Sequence, residues 1–143
     1  MKDTLKPGLT HTVTYTVPTN KTVPYLYPEA PGFTDMPMVF ATGFMVGLFE
    51  WACIELLEPH LERGEGSLGT HVDFSHSAAT PPGLTVTVKA TCTKVDGRTI
   101  EFKVEGHDGV DAIGGGRHRR AVVRWDKFTE RVAQKRKKAL GLA

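Results

Sequence analysis

Cysteine is scarce in this chain: Cys53 and Cys92 are the only two among 143 residues. Both fall inside apolar periodic stretches and not in the close pairs that metal sites or disulfide frameworks use, so both read as buried free thiols. No HExxH, CxxC, GxGxxG or P-loop pattern is present, and metal, dinucleotide and nucleoside-triphosphate chemistry therefore lack sequence support. No apolar run approaches the roughly 18 residues needed to cross a bilayer, and MKDTLKPGLT has none of the features of a signal peptide; a cytoplasmic protein is expected. Excess charge is scarce too. A net charge of +2 is too small to imply nucleic acid, and most of it lies in RVAQKRKKALGLA at the C-terminus, the pattern of a solvated helix end or tail.

What is present is the composition of one soluble domain, with 40% apolar and 24% charged residues. Val13, Tyr15 and Val17 alternate with threonines up to Pro18, which predicts a half-buried first strand. Residues 18–38 hold Pro18, Pro24, Pro28, Pro31 and Pro37 together with Tyr25, Tyr27 and Phe33, so this stretch should wander over the surface as a stiff linker or lid. FATGFMVGLFEWACIELLEPH is apolar nearly all round and predicts one long helix buried in the core, with Gly43 and Gly47 on a stripe where a sheet would approach closely. In HVDFSHSAATPPG, strand alternation sets Val72, Phe74, His76 and Ala78 on the core side. Leu84 to Cys92 and Ile100 to Val104 alternate around an Asp96-Gly97 turn, and Asp108-Gly109 introduces a last strand toward AVVRW. The order is strand, lid, helix, then four strands in a meander: an α+β fold with an antiparallel sheet wrapped around one long central helix.

Between Ala41 and Ile54 the only charged side chain is Glu50. An isolated carboxylate in such a helix needs a partner or a task, because burying it alone costs several kcal/mol. Thr42 lies two turns earlier, about 80° round and roughly 12 Å along the axis, on the same face. A helical carboxylate, a helical hydroxyl and a core-facing His76 point together to acyl transfer. The bland alternatives are a solvent-facing strip for Glu50, a first-turn cap for Thr42 and a hydrogen-bonded core histidine. Cys53, on an apolar helix with no basic neighbour in sequence, should be inert.

VFATGFMVGLFEWAC, GEGSLGT, SHSAATPPGLTVTV and HDGVDAIGGGRHRRAVV, in this order, resemble the hot-dog-fold acyl-CoA thioesterases, most closely those acting on fluoroacetyl-CoA. The resemblance covers nearly the whole chain. It implies a homodimer of hot-dog subunits with the site at their interface, and a single thioesterase domain over residues 1–143, with 18–38 as lid and 126–143 as a basic C-terminal helix or tail. It also implies hydrolysis of a short acyl-CoA thioester, with coenzyme A entering as part of the substrate and no separate cofactor, metal, nucleic acid or membrane partner. On the same footing Glu50 is nucleophile or general base, His76 handles protons, and Thr42 hydrogen-bonds to carboxylate and substrate. Phe33, Met36, Gly69 and Arg120 would contact the substrate, Gly69 through its backbone N–H. Met36 stands where the family carries a second lid phenylalanine, which bears on fluorine selectivity. The competing readings are a non-catalytic acyl-CoA-binding sensor and a dehydratase, and the latter would need an Asp that the helix lacks.

Overall fold

The computed structural model describes residues 1–142. Five strands, β1 (Thr10–Thr16), β2 (Glu65–His76), β3 (Thr85–Asp96), β4 (Thr99–His107) and β5 (Ala112–Arg124), form one antiparallel sheet in the order β1-β3-β4-β5-β2. The helices are a single turn α1 (Pro31–Thr34), the long α2 (Thr42–Leu57) and a C-terminal α3 (Trp125–Leu140).

The period-two pattern does what it predicts in β3 and β4. Val86, Val88, Ala90 and Cys92 point inward, as do Ile100, Phe102 and Val104, while the intervening threonines and charges face out. Against them α2 sets Met45, Leu48, Phe49, Ala52, Cys53, Leu56 and Leu57. Phe49 is fully buried, and its ring lies so close to β4 that a Cβ at Gly106 would come within 2.8 Å of it. Burying such a ring contributes roughly 1.5–3 kcal/mol by transfer alone, and truncating it to alanine would cost about 3–5 kcal/mol. Both hairpin turns form with glycine at positive φ, 59° at Gly97 and 92° at Gly109.

The structure corrects four expectations. The strands after α2 are not one meander: β3, β4 and β5 are, but β2 pairs with β5 at the far edge, and residues 77–84 carry the chain across to β3. Because β2 is an edge strand, Val72 is 45% exposed even though it pairs with the buried His118 and shares the inner face with Phe74, which packs on the core; Ala78 also packs there but lies beyond the strand end. The helix is buried on one face only, leaving Trp51 and Ile54 exposed on the other. On that outer face Gly43 meets no sheet; a Cβ there would instead come within 3.1 Å of the Leu26 side chain, while Gly47 faces open space. The basic tail is helical, closed by Gly141 in the left-handed conformation.

Candidate functional site

Two groups of polar side chains form where α2 passes over the β2–β5 edge. The first lies at the start of α2. Ala41 is the N-cap, so Thr42 is the first helical residue and its hydroxyl is free of capping duty. It lies 2.7 Å from Nδ1 of His76, the last residue of β2. The strand end is held there by Gly114 and Gly116 of β5, where a side chain would collide with the carbonyls of Ser75 and Asp73. Nε2 of His76 is the one buried side-chain nitrogen or oxygen without a hydrogen-bond partner among the described residues. Burial, the leading cause, holds the imidazolium of His76 below the ordinary histidine range, the nearby Ala78 backbone opposing it in part, so the ring is neutral near pH 7.

The second group surrounds Glu50, whose side chain is 32% exposed. Its Oε1 accepts from Nη1 of Arg120 at 3.0 Å. Arg120 lies opposite Gly69 in the β2–β5 register, and a Cβ at Gly69 would come within 2.6 Å of Glu50 Oε1. The guanidinium is 4% exposed and donates from Nε to the Ser67 hydroxyl (2.8 Å) and from Nη2 to the Ser67 carbonyl (2.9 Å). His118, buried beside it, places Nε2 3.1 Å from Arg120 Nη1 and 3.8 Å from Glu50 Oε1, with Nδ1 2.7 Å from the carbonyl of His71. Glu50 thus has the partner its apolar helix required, supplied by the sheet. Cys53, one turn on, is pushed up to about 12 mainly by burial, as an inert thiol should be.

The sequence-predicted residues are therefore sorted into two places. Thr42 and His76 are in contact; Glu50, Gly69 and Arg120 are together; no hydrogen bond joins the two groups among the described residues. Thr42 bonds to His76 and not to the Glu50 carboxylate, because two helical turns separate them. Arg120 commits its donors to Ser67, Glu50 and His118. Phe33 stacks near Tyr27, with ring centroids 5.6 Å apart, and Met36 is 49% exposed. Near His76 the surface forms an open concavity of about 240 Å³ lined by His76, Ser77, Ala78 and Ala79. A larger one of about 730 Å³ lies away from this chemistry, between α3 and the end of β5. Sequence reading missed Ser67 and His118. For His118 a signal existed: counting back in twos from Val122 in RHRRAVV puts Arg120 and His118 inward, and Arg119 and Arg117 outward.

The model of the fluoroacetyl-CoA-specific thioesterase family matches residues 27–126. A fluoroacetyl-CoA thioesterase of Streptantibioticus cattleyicolor is 56% identical over 135 residues, covering 94% of this chain and 97% of its own. A solved fluoroacetyl-CoA thioesterase superposes with a TM-score of 0.91 at 55% identity, covering 93% of this chain and 98% of its own. A thioesterase-superfamily protein from Thermus thermophilus gives 0.83 at 28% identity, over 96% and 98%. Among the described residues no helix is long and apolar enough to cross a membrane, and no group of three His, Cys, Asp or Glu side chains gathers to hold a metal ion.

Proposed function

This chain belongs to the fluoroacetyl-CoA-specific thioesterase family, and from that membership and the local geometry we propose that Thr42, Glu50 and His76 form one acyl-transfer site. The hot-dog-fold enzyme hydrolyses an acyl-CoA thioester to the acid and free coenzyme A. The observation that carries the assignment of residues is the buried, unpartnered Nε2 of His76, backed at Nδ1 by the Thr42 hydroxyl. A neutral imidazole with one nitrogen oriented and the other left open is arranged to pass a proton.

In this reading the thioester carbonyl lies between the two groups. Glu50, fixed through Oε1 by Arg120, presents its other oxygen, either to the carbonyl carbon or to the water that attacks it. The C–S bond breaks, the thiolate takes a proton by way of His76, and water supplies the oxygen of the acid. The Gly69 backbone lies beside Glu50 and close to the carbonyl; Phe33 and Met36 cover a short acyl group such as fluoroacetyl. Arg120 serves the substrate through Glu50.

We read the functional unit as a homodimer joined through β2. Its outer edge has no strand partner in one chain, residues 69–73 are exposed along it, and Val72 is an apolar group with nothing over it. Residues 1–143 are read as one thioesterase domain, with 18–38 as its lid and the basic α3 appended. Two free thiols accord with a cytoplasmic location. Thiol release from a panel of short acyl-CoAs including acetyl and fluoroacetyl tests the activity, with Glu50→Gln expected to lower kcat at least about 10³-fold. Near-native turnover of that variant would make the carboxylate structural, and stoichiometric binding without thiol release would favour an acyl-CoA sensor.

A further inference from the structure

Arg120 is the pivot of the Glu50 group, and its position depends on a residue outside the proposed trio. A guanidinium has about five N–H donors and tends to grip a carboxylate with two of them, engaging both oxygens. Here that grip is prevented. Nε and Nη2 are drawn to the hydroxyl and carbonyl of Ser67, and Nη1, which reaches Glu50 Oε1, also points at Nε2 of His118. The state of His118 follows from its other contact: the His71 carbonyl only accepts, so Nδ1 carries the proton and Nε2 the lone pair. Phe102 and Phe74, with ring centroids 6.3 and 5.9 Å from that of His118, keep the imidazole in place.

We infer that His118 is a positioning residue for the reaction: as the Nδ1–H tautomer it accepts an Nη1 proton of Arg120, holding the guanidinium on one oxygen of Glu50 and leaving the other for the thioester or its attacking water. The inference rests on the proposed role of Glu50. It also predicts acid sensitivity. The charged and titratable groups facing the ring are Arg120 on its own strand, Glu50 from α2 and His71 from β2; Phe102 of β4 brings no charge. Burial first, then Arg120, holds the imidazolium below the ordinary histidine range, against the pull of the His71 carbonyl and Glu50. A proton on Nε2 would abolish the acceptor, set two cations 3.1 Å apart and turn a new donor toward Glu50.

The test compares His118→Phe, which keeps an aromatic ring but no acceptor, with His118→Gln, whose amide oxygen reaches the Nε2 position and does not titrate. With fluoroacetyl-CoA, kcat of His118→Phe should fall tenfold or more, since misplacing a reacting group by about 1 Å costs up to about 10²-fold, while KM changes little. His118→Gln should recover kcat to within a few-fold, and its acid-side decline should be less steep by one proton. A folded His118→Phe protein with wild-type kcat overturns the inference. If that variant does not fold, an acid limb of unchanged steepness in His118→Gln overturns it equally. Glu50→Gln is measured in parallel: if it keeps turnover, the role of Glu50 fails and this inference with it; if it is inactive while both His118 variants behave as wild type, only this inference fails.

Discussion

A Cβ at Gly69 would lie 2.6 Å from Oε1 of Glu50, closer than side-chain atoms are found, so the carboxylate rests against the bare backbone of β2. The glycine is needed for close approach and not for an unusual φ. Gly69→Ala should therefore leave the strand paired but push Glu50 off Arg120. The expected result is a fall in kcat of about 10²-fold, the scale of an ångström's misplacement, with a melting temperature within a few degrees of wild type. Crystallography of the variant should show the Glu50–Arg120 contact lengthened. Full activity would mean that the carboxylate has room to relocate without loss.

The contact between Thr42 and His76 separates hydroxyl chemistry from shape. Thr42→Ser keeps the hydroxyl and should stay within a few-fold of wild type, whereas Thr42→Val keeps the branching and should lose about tenfold, the worth of one hydrogen bond to a working imidazole. His76→Ala should lose about 10²–10⁴-fold, the usual contribution of a positioned proton carrier. If Thr42→Val matched Thr42→Ser in steady-state kinetics, the hydroxyl would have no part in orienting the ring.

At the other end of the helix, Glu65 makes a stability prediction. Its side chain is 2% exposed and bonds to the N-terminal amine and to Arg98. Contacts with that amine first, then the Glu62 backbone N–H, lower its pKa from 4.5 to about 2. A carboxylate depressed in the folded state binds fewer protons than in the unfolded chain, so its stabilisation is complete above pH 4.5 and fades as pH falls toward 2. Glu65→Gln should lower the melting temperature at pH 7 and flatten its dependence between pH 4.5 and 2, measured by differential scanning calorimetry. An equally steep acid loss in the variant would assign that loss to other carboxylates.

Much of this was legible in the sequence for a physical reason: periodicity reports burial. Val86 to Cys92 and Ile100 to Val104 alternate because each strand has one wet face, and the lone Glu50 advertised itself because an apolar helix does not tolerate an unpaired charge. Partners supplied by pairing across the sheet were not legible. Nothing in local sequence says that β2 returns to β5 and not to β3, so the meeting of Gly69 with Arg120, and of Ser67 with the same guanidinium, appears only once the register is known. Val72 misled because alternation marks a face without saying whether the strand is central or at the edge.

Met36 is where this chain departs from the second lid phenylalanine that the family resemblance leads one to expect. It is 49% exposed, one turn beyond Phe33, whose ring is braced by Tyr27. A thioether bends into irregular gaps, whereas a phenyl ring seals a pocket in a fixed shape and excludes water. The segment should therefore close less tightly here and accept acyl groups somewhat larger than fluoroacetyl. Pocket differences of a methylene or two discriminate by only about 1–3 kcal/mol, so the effect should be a broadened preference and not a new reaction. Met36→Phe should raise the ratio of kcat/KM for fluoroacetyl-CoA over acetyl-CoA by about 5–10-fold, at the lower end of that range. An unchanged ratio in a normally folded variant would move selectivity away from the lid, to the response of Thr42, Glu50 and His76 to a carbonyl made more electrophilic by fluorine.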